Sequence, residues 1–215
     1  MQTDLNKYGV SVILTLYNSK KFFQRAINSV KAQTYKEYEL IIVDDGSTDA
    51  SEKILFPILK ENDNFKYIRQ SNRKQPLSLN SGIKNTTGNF ITFLDSDDEY
   101  LPNHLAQRFT FLNDNSDIDL IHSPAKIIGE ETDLYVPDAK DTSKLIHLKD
   151  CVIGGTFFGK RKVFEELDGF QNIYSHDFDF FNRANEKFTV LKYDLPTYVY
   201  HRDNPESVIN RMKTS

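Results

Sequence analysis

Two groups of acidic residues in this sequence have the spacing expected of a metal or ligand site. The first group is the pair Asp44 and Asp45, which follows a short apolar run. The second group, Asp95, Asp97 and Asp98, also follows an apolar run. Carboxylates this close together repel one another unless they are protonated or share a cation. No Lys or Arg lies within either group, and Mg²⁺ and Mn²⁺ prefer oxygen ligands, so a divalent cation is the expected partner.

The elements that precede these residues predict that both groups lie at one edge of a parallel sheet. The first half of the chain alternates between β-type runs and helical patterns, beginning with a strand at Val10–Leu16 and a helix at Ser19–Gln33. Strands at Leu40–Val43 and Phe90–Leu94 end directly before the acidic groups. Such alternation predicts an α/β fold with helices on both faces of a mostly parallel sheet. Ligands of these folds bind outside the carboxyl ends of the strands. Asp is also common in turns, but two groups at one edge favour a site.

Further elements follow from the same patterns. In the first half we expect a helix with Asp49 as its N-cap and a kink at Pro57, a strand at Phe65–Arg69, and helices at Leu77–Thr86 and from Pro102 to Asn113. The second half is less regular. There we expect strands at Leu120–Ile128, Cys151–Phe158 and Tyr198–His201, and a helix at Asp177–Lys187 that buries Phe178 and Phe181.

The composition narrows the class of protein. The chain has 27 basic and 31 acidic residues and a net charge of −4, whereas a nucleic-acid-binding domain is expected to have a basic face. The single cysteine, Cys151, rules out a disulfide framework and a cysteine-based zinc site. No apolar run approaches the roughly 18 residues that span a bilayer. We expect one soluble, cytoplasmic domain over residues 1–215 without a nucleic-acid partner; peripheral membrane association and homo-oligomerisation stay open.

An ordered set of segments resembles the signatures of family-2 glycosyltransferases with the GT-A fold. The segments are Val10–Asn18, Val43–Asp49, Asn80–Ile83, Thr87-Gly88 and Phe93–Asp98. The resemblance covers residues 9–101 and resumes at Gly154–Phe170 and Asp177–Arg183. It implies a Rossmann-like half that binds a nucleotide sugar, at about residues 9–101. It also implies a second half, at about residues 102–215, that binds the acceptor and supplies a catalytic base.

The resemblance also implies roles for residues of the first half. Thr15 and Tyr17 would flank the nucleobase, and Asp45 would bind the base with support from Asp44. Asp95 would approach the ribose. Asp97 would bind the metal, Mn²⁺ or Mg²⁺, and Asp98 would share it. A tyrosine face suits stacking on a base, and a carboxylate suits a base N–H.

Other positions depart from the family pattern. Asn72 is followed by Arg73 and Lys74 where a glycine-containing turn is usual, and these two cations are candidates to reach the donor diphosphate. The base position falls on Asp177, with His176 in place of the usual Glu beside it. His201 is a further candidate metal ligand, although a lone histidine is more often structural.

These residues predict an inverting, metal-dependent glycosyltransferase. Its expected donor is a nucleotide diphosphate sugar, a UDP-sugar above others, and its expected acceptor is a hydroxyl of a glycan or lipid-linked glycan, as in polysaccharide synthesis. A nucleotidyltransferase is one alternative, but its glycine-rich basic loop is missing after the first strand, where the chain reads Thr15–Lys20. A non-catalytic module that binds sugar nucleotides is the other alternative, because His176 departs from the family pattern.

Overall fold

The computed structural model describes residues 8–202 and residue 204. Within them, the strands in chain order are β1 (Val10–Leu16), β2 (Tyr38–Asp44), β3 (Phe65–Arg69), β4 (Phe90–Asp95), β5 (Glu99–Tyr100), β6 (Leu120–His122), β7 (Lys126–Ile128), β8 (Tyr135–Pro137), β9 (Leu145–His147), β10 (Phe158–Lys160), β11 (Val190–Lys192) and β12 (Tyr198–His201). The α-helices are α1 (Phe23–Lys31), α2 (Glu52–Lys60), α3 (Gln75–Ile83), α4 (His104–Asp114), α5 (Arg161–Glu166) and α6 (His176–Lys187).

Seven strands form a central sheet in the order β11-β6-β10-β4-β1-β2-β3. Strand β1 pairs in parallel with both β2 and β4, and β2 pairs in parallel with β3. Strand β10 runs antiparallel to its neighbours β4 and β6. A small sheet, β5-β12-β7, and the hairpin β8–β9 lie outside the central sheet. The prediction of a mostly parallel α/β sheet is confirmed.

Helices cover both faces of the central sheet because successive strand residues point to opposite faces. In β1, Val12 and Leu14 pack into one core, together with residues of α1 and α4, whereas Ile13 packs into the other, with residues of α3 and α6. All three side chains are fully buried. Burial on both faces explains why the sequence of this strand is a continuous apolar run.

Several local predictions were wrong. Asp49 is not the N-cap of α2: Ser51 is, and Asp49 instead accepts a 2.8 Å hydrogen bond from the Lys20 N–H, which joins the loops after β1 and β2. Helix α3 begins earlier than expected, at Gln75, because the fixed φ of Pro76 suits the first turn of a helix. The predicted strand at Leu120–Ile128 is divided into β6 and β7, in different sheets, because Pro124 cannot donate to a ladder.

The predicted strand at Cys151–Phe158 is also wrong. One-turn 3₁₀ helices occupy Leu148–Asp150 and Gly154–Thr156, and β10 begins only at Phe158. A side chain at Gly155 would place its Cβ 2.5 Å from the Tyr198 ring, so the turn depends on a residue without a side chain.

Helix α6 was predicted to bury Phe178 and Phe181, but it fully buries Phe180 and Ala184. These two residues are four apart and therefore lie on the helix face that meets the sheet. Phe178 and Phe181 are half-buried. No helix in the described part of the chain is long and apolar enough to cross a membrane.

Candidate active site

The strand register brings the two acidic groups to one edge of the sheet. Thr15, near the end of β1, is aligned with Val43 of β2 on one side and with Asp95 of β4 on the other. Leu16 is aligned with Asp44. Neighbouring strands are about 4.8 Å apart, so the ends of β2 and β4 are separated by about 10 Å across β1. The acidic groups therefore lie at one edge of the sheet, as the sequence predicted, and the space outside this edge is called the crevice below.

Asp44 is fully buried and holds the loop that follows β2. Its carboxylate accepts hydrogen bonds from the Ser47 N–H, at 2.8 Å, and from the Tyr67 hydroxyl, at 2.7 Å. The guanidinium of Arg69 lies 3.7 Å away. These contacts occupy the carboxylate, so Asp44 stabilises the loop beneath the crevice, in line with the supporting role expected from the sequence.

Asp45 anchors the loop between β3 and α3. Its carboxylate accepts hydrogen bonds from the Gln70 side chain at 2.8 Å and from the backbone N–H groups of Arg73 and Lys74 at 2.9 Å each. Asn72 and Arg73 are exposed on this loop. The contact between Asp45 and this loop could not be read from the sequence, because it joins residues that are more than twenty positions apart.

Thr15 and Tyr17 lie beside Asp45 at the end of β1. Thr15 is 8% exposed, whereas Tyr17 is 48% exposed, which makes it one of the most exposed large side chains of the described chain. The backbone N–H of Asp45 donates to the Leu16 carbonyl at 2.9 Å and fixes the distance between the two strand ends. Tyr17 therefore presents a free aromatic face at the rim of the crevice.

Asp95, at the end of β4, has a strongly perturbed carboxyl group. Burial, together with the negative charges of Asp97 and Asp177, raises its pKa to about 7. The side-chain amide of Gln75 donates a 2.6 Å hydrogen bond to Asp95 and opposes this rise. Gln75 was not among the residues predicted to belong to the site. Its one signal was a polar side chain directly before Pro76, at the point where a helix begins beside the sheet edge.

Asp97 and Asp98 differ in their surroundings. Asp97 is partly exposed and accepts a 2.8 Å hydrogen bond from the Asn204 side chain. Asp98 is fully buried, and its two oxygens accept from the Tyr198 hydroxyl at 2.5 Å and from the His201 N–H at 2.8 Å. Burial raises the pKa of Asp98 well above its usual value. Asp98 thus anchors β12, which argues against the predicted sharing of a metal with Asp97.

His201 also has a structural partner. Its Nε2 atom lies 2.9 Å from the Glu99 carboxylate, and the ring is 8% exposed. This pairing joins β12 to β5 and argues against the predicted metal ligation through Nε2. Among residues 8–202 and 204, no group of three or more His, Cys, Asp or Glu side chains is placed to hold a metal ion by itself.

Asp177 lies in the first turn of α6, close enough to Asp95 for its charge to raise the pKa of that carboxyl. Its carboxylate accepts hydrogen bonds from the Phe178 N–H at 2.9 Å and from the Gly154 N–H at 3.3 Å. A side chain at Gly154 would place its Cβ 3.0 Å from that of Asp177, so the glycine allows this close approach.

His176, which precedes Asp177, does not take the place of the usual acidic residue. Its ring packs edge-on against Phe170, with 5.6 Å between the ring centroids. Burial lowers the pKa of His176, although the neighbouring Asp177 and Asp179 oppose this shift. The imidazole is therefore neutral at pH 7 and leaves Asp177 as the carboxylate that faces Asp95.

A cavity of about 320 Å³ adjoins Asp177. Its walls come from the hairpin β8–β9, the turn around Cys151 and the start of α6, and they include Val136, Ile146, Tyr174 and Phe178. Half of the lining residues belong to the polar segment 129–150, whose sequence has no clear period. The cavity depends on contacts between segments that are distant in the chain, which a local pattern does not report.

GT-A proteins have a mostly parallel sheet, with carboxylates at the carboxyl ends of two strands that flank a third. In this chain β2 and β4 flank β1 in that way. The sequence profile described as glycosyl transferase family 2 matches residues 11–168, and the chain belongs to this family. This finding favours the glycosyltransferase prediction over the nucleotidyltransferase alternative.

Related sequences are described as glycosyltransferases. An uncharacterized glycosyltransferase of Rickettsia prowazekii is 33% identical over 183 residues, covering 79% of this chain and 56% of that protein. Another, of Methanocaldococcus jannaschii, is 29% identical and covers 99% of this chain and 78% of that protein. The chain thus spans little more than half the length of the Rickettsia relative.

Solved structures share the fold. Staphylococcus aureus TarS in complex with UDP-GlcNAc superposes with a TM-score of 0.73 at 22% identity, covering 94% of this chain and 60% of that one. The mannosyltransferase PcManGT of Pyrobaculum calidifontis, in complex with GDP-Man and Mn²⁺, gives a TM-score of 0.72 at 18% identity, covering 95% of this chain and 59% of that one. At these identities the likeness shows the fold.

Proposed function

We propose that this chain transfers a sugar from a nucleotide diphosphate sugar to an acceptor hydroxyl, with inversion at the anomeric carbon. The observation that carries this proposal is the proximity of Asp97 and Asp177 to Asp95. The negative charges of Asp97 and Asp177 add to the effect of burial in raising the pKa of Asp95. The proposed acceptor is a glycan or lipid-linked glycan. The family membership and the nucleotide-sugar complexes of TarS and PcManGT support this function.

The donor is proposed to bind across the ends of β1, β2 and β4. Tyr17 stacks on the nucleobase, and Thr15 contacts it from the strand end. Asp45 accepts a base N–H, which suits a uracil and therefore a UDP-sugar. Asp95 receives the ribose in place of the Gln75 amide. The exposed Asn72 and Arg73 are placed on the loop beside the base, where Arg73 is available to the diphosphate.

The residues on this edge fit a divalent cation that binds together with the donor. Asp97 is partly exposed, and Asp95 lies two residues away with a pKa that the approach of a cation would lower. Mg²⁺ in such sites is held by one or two carboxylates and by substrate phosphates, and Mn²⁺ favours the same oxygen ligands. When bound, the cation neutralises charge on the departing diphosphate.

Asp177 is the proposed catalytic base. The acceptor oxygen attacks the anomeric carbon, the bond from that carbon to the diphosphate breaks with its electron pair on the diphosphate, and the hydroxyl proton passes to Asp177. This single displacement inverts the anomeric centre. Asp177 is suited to the step because its carboxylate is oriented by the Gly154 N–H.

The Asp177→Asn variant tests this assignment, with Asp179→Asn as its matched control. Asp179 lies in the same helical turn, but its carboxylate pairs with Arg183 at 2.9 Å. We expect Asp177→Asn to lower transfer by about 10²–10⁴-fold, because a positioned general base contributes this much. Asp179→Asn should retain transfer within a few fold. Transfer by Asp177→Asn at the wild-type rate would disprove the role of Asp177.

Donor binding is tested separately by thermal shifts with UDP, UDP-GlcNAc and GDP-mannose, each with and without Mn²⁺. A ligand that binds the native state raises the melting temperature. We expect the largest shifts for uridine nucleotides in the presence of Mn²⁺. Shifts in melting temperature without any turnover of the donor would favour the non-catalytic alternative. Shifts of the same size with and without Mn²⁺ would contradict the metal proposal.

A further inference from the structure

The cavity beside Asp177 has the size and position of a second binding site. Its volume of about 320 Å³ lies within the range of ligand pockets, about 300–1,000 Å³. Strands β8 and β9 form one wall, where Val136 is aligned with Ile146. Phe178 and Asp177, at the start of α6, form part of another wall. A molecule in the cavity would therefore lie next to the carboxylate that faces the donor crevice.

Most of the cavity wall is apolar. The apolar and aromatic side chains that line it include those of Val136, Ile146, Leu148, Val152, Phe178 and Tyr200. Aromatic faces and aliphatic side chains favour ligands that bury hydrocarbon, since each buried CH₂ group contributes about 0.8 kcal/mol. A free sugar, with hydroxyls on every face, would leave this surface poorly matched.

The charges on the cavity wall are mainly negative. Asp138, Asp150 and Asp177 line the cavity, against a single lysine, Lys140, whose ammonium lies 5.8 Å from the centroid of the Phe178 ring. Burial, together with the charges of the same three aspartates, raises the pKa of the Cys151 thiol to about 11. The aspartates therefore act together on the interior of the cavity. A phosphate or carboxylate in this position would be repelled.

We propose that this cavity binds the acceptor, and that the acceptor is an uncharged glycoside with an apolar aglycone. The sugar hydroxyl faces Asp177, and the aglycone lies along Val136, Ile146 and Leu148. This inference rests on the proposed glycosyltransferase function and adds the acceptor class to it. It favours a neutral amphipathic acceptor over an anionic polymer or a free sugar.

A series of acceptors tests the proposal directly. Glucose, galactose and N-acetylglucosamine are compared with their butyl, hexyl and octyl glycosides below micellar concentrations, and with their phosphates, using the donor that gives the largest thermal shift. We expect kcat/KM to rise at least about tenfold from the free sugar to the octyl glycoside, because apolar area is buried. We expect the phosphates to be poorer than the free sugars. Equal rates for free sugars and alkyl glycosides, or better rates for phosphates, would overturn the proposal.

Two variants of strand β9 distinguish an effect of the cavity from a general effect of the protein surface. Ile146→Thr places a hydroxyl in the cavity wall and keeps the β-branched shape. Leu145→Thr changes the neighbouring residue, which is 63% exposed and is not part of the wall. We expect Ile146→Thr to lower the octyl-to-free-sugar ratio of kcat/KM about three- to tenfold. Leu145→Thr should leave that ratio unchanged. Equal effects of the two variants would overturn the proposal.

Cys151 supplies a binding readout that does not depend on turnover. It lines the cavity and is the single cysteine of the chain. Alkylation by a maleimide should be slow, because the thiol pKa is raised, and octyl glycosides should slow it further whereas the donor nucleotide alone should not. Absence of protection by every alkyl glycoside would overturn the acceptor assignment. Loss of donor thermal shifts and of donor hydrolysis would instead refute the proposed function, so the two failures are distinguishable.

Discussion

Replacing Lys74 with glycine should stabilise the folded protein. Lys74 has φ +72° and ψ +158°, a conformation that glycine adopts without strain and other residues rarely adopt. A residue held in such a region costs about 1–3 kcal/mol. Glycine in turn costs about 0.5–1 kcal/mol through the greater freedom of the unfolded chain. The difference predicts a gain of about 1 kcal/mol in the free energy of unfolding and a rise of about 2–4 °C in melting temperature for a chain of this size.

The assay is urea and thermal unfolding without ligand, and the matched control is Arg73→Gly. Arg73 is the preceding residue, is exposed and does not have a positive φ. Its replacement should lower the free energy of unfolding by about 0.4–1 kcal/mol, since glycine only adds freedom to the unfolded chain. If Lys74→Gly destabilises the protein as much as Arg73→Gly does, the backbone at Lys74 is not strained.

Three other predictions follow from particular contacts. Glu39 is fully buried, and although burial raises its pKa, hydrogen bonds from Lys66, Ser11 and Thr87 lower it overall. Because the folded-state pKa is depressed, this stabilisation is present above the ordinary value of 4.5 and is lost as the pH falls through the folded-state pKa. Acid titration of unfolding should show this loss in wild type and in the exposed-site control Glu37→Gln, but not in Glu39→Gln, which at neutral pH should be destabilised by about 1–3 kcal/mol. Gly155→Ala should cost about 1–3 kcal/mol in urea unfolding, since the added Cβ would meet the Tyr198 ring at 2.5 Å; an unchanged midpoint would show that the ring moves freely. Removal of divalent cations with EDTA should abolish transfer and added Mn²⁺ should restore it, whereas Asp97→Asn should weaken the Mn²⁺-dependent thermal shift; full activity in EDTA would contradict this.

The parts of the fold that could be predicted are those that leave a local pattern in the sequence. The strand Val10–Leu16 was predicted with the bounds that the structure has, because a short apolar run buried on both faces leaves a continuous signal. The common edge of the acidic groups followed from the same reasoning, since parallel strands place their carboxyl ends together. Where the signal was local, both the element and the position of its chemistry could be read from the sequence.

The remaining features depend on contacts between distant residues. Asp98 was expected to share a metal because it follows Asp97, but Tyr198 and His201, about a hundred positions later, occupy its carboxylate. The cavity wall at Val136 and Ile146 comes from a hairpin of two three-residue strands, too short to give a period. Neither the burial of Asp98 nor the cavity can be predicted from the residues that are adjacent in the sequence.

The hydrogen bonds between Asp45 and the loop of Gln70, Arg73 and Lys74 have a thermodynamic consequence for the proposed donor complex. The same carboxylate that closes the loop is the proposed partner of the nucleobase, so the closed loop and the base compete for its oxygens. Linkage requires this antagonism to be reciprocal: loop closure weakens nucleotide binding by the same factor by which the bound nucleotide weakens loop closure. Nucleotide affinity would then be tuned by substitutions in this loop, where the Gln70 side chain and the N–H groups of Arg73 and Lys74 occupy the carboxylate.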